Sequence, residues 1–205
     1  MPPATVSPAS NARPWTGVSY EEFLANVPED VRAEWVDGEA ILMPPPSIAH
    51  QLLSAYLVRV LGFYVEEHRL GIVLHAPVQM RAADFLPGRE PDLVVVLEAH
   101  RDRIKKNHIE GPADLVVEII SPESRGRDRG DKHYEYETGG VTEYWLLDPM
   151  RQSAEFYLRN EAGQFILATC PEGIFESRVL AGMKFQVEWL WTQPRLAEVM
   201  RAWGM

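Results

Sequence analysis

Two acidic side chains lie next to apolar residues that cannot satisfy their charge. Asp92 comes immediately before the apolar run 93–96, and Glu118 lies within the apolar run 115–120. An ionised carboxylate in the dry interior of a sheet costs on the order of several kcal/mol unless it is paired or binds a cation. The pattern therefore indicates either a buried ion pair or a cation-binding site.

A divalent cation bound by these acids would suit the hydrolysis of a phosphodiester. Mg²⁺ or Mn²⁺ takes oxygen ligands, commonly a few carboxylates with water and a substrate phosphate, and neutralises charge on the phosphoryl oxygens. Asp92 and Glu118 fit this ligand set, and the backbone carbonyl of Ile119 could supply another oxygen. Lys132 could orient the attacking water or stabilise developing charge, and Tyr136 would share its helix face.

The same residues also have simpler explanations. Asp92 could begin a strand, Glu118 could pair with a buried arginine, and Lys132 could be a solvated helix residue. His50 could be a core or capping histidine. On the residues alone three functions remain open: a metal-dependent nuclease, a domain that binds nucleic acid without cleaving it, and a metal-independent hydrolase that uses a carboxylate pair, as glycosidases do.

Capping and turn residues divide the first third of the chain. A capping box that begins at Ser19 predicts a short helix, and an Asp-Gly pair predicts a tight hairpin over residues 34–42. Ser47 can cap the next helix, in which apolar residues recur every four positions from 48 to 64. Gly71 is the expected C-cap of that helix.

Strand and helix patterns alternate through the middle of the chain. This order predicts an α/β (α+β) domain with a mixed central β-sheet flanked by helices, an N-terminal β-hairpin and a β-rich C-terminal part. Strands are expected at residues 72–81, 92–98, 115–120 and 143–149, and a helix at about 128–138.

Length and composition favour one domain over residues 15–205, with residues 1–14, which contain four prolines, as a disordered tail.

The formal net charge of −10 argues against a protein that coats nucleic acid, because phosphate neutralisation needs Lys and Arg. A single cysteine, Cys170, fits a reducing cytoplasm. Neither a secretion signal nor a membrane span is evident in the pattern, so we expect a cytoplasmic protein without a membrane partner.

Two local basic stretches could bind the phosphate backbone of DNA even though the whole chain is acidic. Solvated loop charge is an equally good explanation for both. Their basic residues are Arg101, Arg103, Lys105 and Lys106 in the first stretch, and Arg125, Arg127 and Arg129 in the second.

Several motifs, in order along residues 18–190, resemble the Uma-type family of restriction-endonuclease-like proteins, a branch of the PD-(D/E)XK nuclease superfamily. The motifs are Pro91-Asp92, the run 114–124, Asp128 with Lys132 and Tyr136, and the run 140–149, together with Glu34, residues 37–39 and His50.

The resemblance implies a restriction-endonuclease-like fold and Mg²⁺- or Mn²⁺-dependent cleavage of DNA. Asp92 and Glu118 would be the two acids of the superfamily motif and would bind the metal. Ile120 stands where the superfamily has its lysine, so the resemblance gives that role to Lys132. Glu34, His50 and Tyr136 would be accessory residues near the site. Many nucleases of this type act as symmetric dimers, so a homodimer is expected.

Overall fold

The computed structural model describes residues 16–28, 31–121 and 125–205, and the predicted tail at residues 1–14 lies outside them. The helices are α1 (Tyr20–Asn26), α2 (Ile48–Glu67), α3 (Arg125–Arg129), α4 (Asp131–Gly139), α5 (Trp189–Thr192) and α6 (Leu196–Ala202), with 3-10 turns η1 (Glu98–Arg103) and η2 (Pro171–Gly173).

The strands of the described residues form three sheets. They are β1 (Ala33–Val36), β2 (Glu39–Leu42), β3 (Gly71–His75), β4 (Gln79–Arg81), β5 (Gly88–Arg89), β6 (Leu93–Leu97), β7 (His108–Glu110), β8 (Leu115–Ile119), β9 (Glu143–Asp148), β10 (Ser153–Arg159), β11 (Phe165–Leu167), β12 (Ile174–Glu176) and β13 (Lys184–Gln186). A six-stranded sheet has the order β11-β10-β9-β8-β6-β3, a five-stranded sheet the order β2-β1-β5-β4-β7, and β12 pairs with β13.

The central sheet is mixed, because β8 and β9 run parallel while β6 and β8 run antiparallel. This arrangement, with helices against the sheet, confirms the predicted fold class. The Asp-Gly hairpin is also present: Asp37 and Gly38 have φ angles of 49° and 86°, as the two central residues of a tight hairpin turn require.

One face of the six-stranded sheet packs against α2 and the C-terminal part of the chain. This main core joins Leu57 and Leu61 of α2 to Val117 of β8 and Trp145 of β9. By length and composition α2 could also cross a membrane, but its apolar face belongs to this core. The Ser47 side chain caps α2 as predicted, by accepting a hydrogen bond from the His50 amide.

The other face of the six-stranded sheet packs against the five-stranded sheet and α4. Side chains alternate between the two faces along a strand, so Val116 of β8 points here and contacts a second core with Met80 and Tyr136. Glu118 follows Val116 by two positions and therefore lies on the same face. The Glu118 side chain is thus directed into the space between the two sheets and α4.

Three predicted boundaries differ from the structure. Helix α2 ends at Glu67, and Gly71, predicted as its C-cap, is instead the first residue of β3. The single strand predicted at 72–81 is two strands in different sheets, separated by a cis Ala76–Pro77 bond. The helix predicted at 128–138 comprises the end of α3 and all but the last residue of α4.

Two glycines give opposite predictions for substitution by alanine. A Cβ at Gly71 would lie 2.1 Å from the Val96 carbonyl oxygen, which is backbone that cannot move aside, whereas a Cβ at Gly62 within α2 would meet nothing within 4 Å. We expect Gly71→Ala to lower the free energy of unfolding by roughly 1–3 kcal/mol or more. Gly62→Ala should raise it by up to about 1 kcal/mol through helix propensity. Urea unfolding of both variants measures the difference, and equal effects would contradict the close approach.

Candidate active site

Asp92 and Glu118 lie opposite each other on neighbouring strands. The antiparallel register pairs Leu93 with Val117, so one step further along Asp92 stands opposite Glu118. Such cross-strand neighbours have Cβ atoms about 4.5–5.5 Å apart. The Ile119 amide donates to Asp92 Oδ2 at 2.8 Å, which directs the Asp92 carboxylate towards β8. Both acids are buried.

The Lys132 ammonium lies among three carboxylates. Its Nζ is 2.9 Å from Glu34 Oε1, 3.0 Å from Glu118 Oε1 and 3.5 Å from Asp128 Oδ1. Lys132 is only 1% exposed, so these contacts provide its charge compensation. They join β1 of the five-stranded sheet, β8 of the six-stranded sheet and the helices α3 and α4 at one point.

Two buried tyrosines line the same cluster. The Tyr136 hydroxyl donates to Glu118 Oε1 at 2.7 Å, and the Tyr144 hydroxyl donates to the Asp128 backbone carbonyl at 3.0 Å. Burial raises the pKa of both phenols well above the usual value, and the negative charge of Glu118 is the second largest cause. The two hydroxyls therefore remain protonated donors throughout the physiological pH range.

A second buried cation lies beside this cluster. Arg89 on β5 donates through NH1 to Glu34 Oε2 at 2.9 Å, and through Nε and NH2 to both carboxylate oxygens of Glu135 at 2.7 Å. Glu34 consequently contacts two cations, Lys132 and Arg89. The predicted accessory residue Glu34 is thus the bridge between the two buried cations.

Asp92 contacts a different set of groups. His50 Nε2 lies 3.0 Å from Asp92 Oδ1, and His50 Nδ1 is buried without a hydrogen-bond partner in the described part of the chain. Arg32 NH2 lies 3.7 Å from the same Asp92 oxygen, while Arg32 Nε donates to Glu90 at 2.5 Å. His50, predicted as an accessory residue, therefore faces the first of the two acids.

Glu34 and Glu118, the two acids nearest to the Lys132 ammonium, have opposite pKa shifts. Burial tends to raise the pKa of Glu34, but the charges of Lys132 and Arg89 outweigh it and the pKa is lowered. Burial raises the pKa of Glu118 to about 8, and Asp128, Asp92 and Glu34 add to the shift while Lys132 only partly opposes it. Glu34 contacts a second cation, Arg89, whereas Glu118 contacts Lys132 alone among the described cations, so the negative charge around Glu118 favours its protonated form.

A cavity of about 390 Å³ opens onto these groups, lined by Asp92, Glu118, Lys132, His50 and Arg32 among others. Its wall includes three consecutive prolines at positions 44–46 and the segment 149–150 after β9. A polar, acid-rich floor beneath apolar walls is therefore accessible to a small or extended ligand.

Comparison with known proteins identifies the family. The model of the Uma2 family, described as "Putative restriction endonuclease", matches residues 20–188. The chain belongs to the Uma2 family. The crystal structure of a putative nuclease belonging to DUF820 from Anabaena variabilis ATCC 29413 is similar, with a TM-score of 0.70 and 19% sequence identity over 85% of this chain and 98% of that one. At this identity the likeness shows the fold. No match was found among curated proteins.

The donor set of this Uma2 chain suits a hard divalent cation. No three His, Cys, Asp or Glu side chains within the described ranges form a complete metal cage. Mg²⁺ does not need one, because it is commonly bound by one or two carboxylates with waters and phosphate oxygens. Asp92 and Glu118 face one cavity, and the raised pKa of Glu118 marks a local excess of negative charge that a cation would relieve. The residues therefore fit the metal, and the Ile119 carbonyl as a third ligand stays a prediction.

The first basic stretch lies far from this cavity. It follows β6 in η1, whereas Asp92 precedes β6, and about six residues at roughly 3.3 Å each separate the two ends by about 20 Å. Most of its charges make local contacts: Arg101 with Glu98, Lys105 with Glu110, and Arg103 with the Pro112 carbonyl. A contact with DNA there would fall roughly six base pairs from the cavity.

The second basic stretch is nearer, because α3 directly precedes the helix that carries Lys132. Arg129 is paired with Glu155 at 2.5 Å, and the side chains of Arg125 and Arg127 lie outside the described parts of the structure. Lys106 of the first stretch is exposed. None of the five described side chains of the two stretches lines the cavity.

Several residues of the site were not predicted from the sequence. Asp128 belongs to the motifs that carry the resemblance but was given no role in the site, although its position four residues before Lys132 was an available signal. Glu90 stands two residues before Asp92 and could have been suspected for that reason. Arg32 and Arg89 had no such signal, because Arg32 lies just before β1 and Arg89 lies on the two-residue β5, and pairing within the five-stranded sheet brings both to the site.

The raised pKa of Glu118 predicts a pH-dependent loss of stability in the absence of metal. A carboxyl whose pKa is higher in the folded than in the unfolded chain binds its proton more tightly when folded, so stability falls as pH rises from about 4.5 to about 8. Glu118→Gln cannot ionise, and its amide can still accept from Lys132. We therefore expect the variant to lose less stability over this range than the wild type, with a difference in Tm of roughly 2–4 °C for each kcal/mol.

Thermal unfolding in EDTA at several pH values between 5 and 8.5 measures this difference. Glu176→Gln changes an exposed acid on β12 and serves as the matched control, because it should follow the wild type. Parallel curves for Glu118→Gln and the wild type would show that folding does not raise the pKa of Glu118.

Proposed function

We propose that this Uma2 protein is a Mg²⁺- or Mn²⁺-dependent nuclease of the PD-(D/E)XK type that hydrolyses phosphodiester bonds in DNA at the Asp92–Glu118 cavity. The observation that carries the proposal is the pair of buried acids, facing one another across β6 and β8 and opening onto the same cavity. The family's description as a restriction endonuclease and the similar structure's description as a nuclease support a nucleic-acid substrate.

Asp92 and Glu118 would hold the cation, which supplies charge neutralisation on the phosphoryl oxygens when bound. The chain orients both acids beforehand. The Ile119 amide and His50 fix the Asp92 carboxylate, and the Lys132 ammonium and Tyr136 hydroxyl fix Glu118. Side chains that are already oriented need little reorganisation during the reaction, which is the main source of electrostatic catalysis.

Lys132 has a further role in this proposal. Its contacts with Glu34 and Glu118 are 2.9 and 3.0 Å long, whereas the contact with Asp128 is 3.5 Å and longer than a good hydrogen bond. The weakest contact is the one that a water molecule can most easily share. Lys132 would therefore keep its two strong contacts while its remaining N–H donates to the oxygen of an attacking water and orients it.

The expected homodimer remains part of the proposal, because one such cavity per chain can cut one strand at a time. Sedimentation at micromolar protein concentration tests it. A monomer that cleaves both strands would remove the homodimer from the proposal without affecting the site.

The proposed reaction predicts that loss of an acid or of the lysine abolishes cleavage. We expect Asp92→Asn and Lys132→Met to reduce plasmid nicking in Mg²⁺ or Mn²⁺ by at least about 100-fold, the usual cost of removing one electrostatic catalytic group. EDTA should have the same effect on the wild type. Lys184→Met is the matched control, since Lys184 is an exposed lysine on β13 paired with Glu176, and it should cleave normally.

Metal binding provides a second measurement that does not depend on cleavage. Mn²⁺ should raise the Tm of the wild type at pH 8 and fail to raise that of Asp92→Asn. Binding of DNA without cleavage in any metal would favour the non-catalytic alternative. Activity that persists in EDTA would favour the metal-independent hydrolase.

A further inference from the structure

The basic residues that line the cavity differ in how many contacts they already make. Lys132 is 1% exposed and lies within 3.5 Å of three carboxylates. His50 is directed at Asp92. The Arg32 side chain is 24% exposed and is, among the described residues that line the cavity, the one lysine or arginine that solvent reaches to this extent.

A hydrogen bond to Glu90 anchors one edge of the Arg32 guanidinium and leaves other N–H donors for a ligand. Its Nε donates to Glu90 Oε1 at 2.5 Å, and Glu90 is itself 2% exposed and lies 3.4 Å from Gln79 Nε2. The NH2 group is 3.7 Å from Asp92 Oδ1, too far for a hydrogen bond. A guanidinium offers five N–H donors in a rigid plane, so one edge is anchored while other donors remain available towards the cavity.

The charge of the cavity explains why such a group is needed. Four acids line it, Glu90, Asp92, Glu118 and Asp128, against two side chains that are always cationic, Arg32 and Lys132. A phosphate anion would be repelled from this surface unless a cation met it. Because Lys132 is surrounded by carboxylates, Arg32 is the protein cation best placed to do so.

We propose that Arg32 is a positioning residue that binds a substrate phosphate beside the Asp92–Glu118 pair. Glu90 orients the guanidinium, whose fork matches two phosphate oxygens as Arg–phosphate contacts commonly do. The inference rests on the proposed nuclease function for its substrate class. It concerns binding of the DNA backbone, which can be measured without any cleavage.

The test is the salt dependence of DNA binding in Ca²⁺, a hard cation that takes oxygen ligands, and in EDTA. Fluorescence anisotropy with a labelled duplex and a labelled single strand gives Kd at several salt concentrations. For Arg32→Met we expect Kd to rise about 10-fold and the slope of log Kd against log salt to fall by about 1, as for the loss of one phosphate contact. Arg32→Lys should keep the slope but bind more weakly, because it keeps the charge and loses the planar fork.

Arg201→Met is the matched control. Arg201 is exposed on α6. Trp203, which follows α6, contacts Tyr64 near the end of α2 that is farthest from His50. Arg201→Met should therefore leave both Kd and the salt slope unchanged. Arg32→Gln removes the charge but keeps a donor for Glu90, so it serves as a folded neutral variant if Arg32→Met fails to fold.

The outcomes separate this inference from the proposed function. Wild-type levels of binding and slope in the neutral Arg32 variants would overturn the role of Arg32 while leaving cleavage at Asp92 intact. Weaker binding in those variants, with no cleavage by the wild type in any metal, would support Arg32 and overturn the nuclease reaction. A wild type that binds neither probe would overturn the phosphate contact as well.

Discussion

The buried ammonium of Lys132 is the interaction on which the rest of the structure depends. It is the point where β1 of one sheet, β8 of the other and the α3–α4 segment meet, through Glu34, Glu118 and Asp128. Removing one partner of such a buried cluster typically costs about 3–5 kcal/mol, because the remaining charges are left uncompensated. The two sheets are therefore joined by charge at the same place where the cavity forms, and the stability of the fold and the geometry of the site cannot be varied independently.

The cluster around Lys132 has more acids than bases, and the unmatched acid is Glu118 rather than Glu34. Arg89 gives Glu34 a second cation, so the shared lysine is the main cation left for Glu118, whose pKa rises to about 8. A fold that needed only a stable ion pair would match its charges more closely. The surplus carboxylate lies where the Asp92–Glu118 pair opens to the cavity. A divalent cation there would lower the pKa of Glu118 and release its proton, so metal binding would depend on pH through this one side chain.

The sequence was most informative where periodicity is strong. The apolar runs around Asp92 and Glu118 predicted strands, and the structure has β6 and β8 there as neighbours in one sheet. Ser47 and the Asp-Gly turn also marked real boundaries. Gly71 was misassigned because a glycine after a helix can mark either a C-cap or a close approach between strands, and here it is the latter. Arg89 could not be predicted, because β5 has only two residues and so carries no periodic pattern.

The position of Ile120 explains how the lysine can come from another element. Two residues beyond Glu118, Ile120 points to the same face of the sheet, where it belongs to the apolar core that includes Tyr136. A lysine there would approach Glu118 along the strand, whereas Lys132 approaches the same carboxylate from the helix packed above it, at 3.0 Å. Under the proposed nuclease function the acids need an ammonium at about this distance, and either element could supply it. With its lysine on α4, the proposed site would depend on how closely α4 packs against the sheet, while position 120 stays in the apolar core.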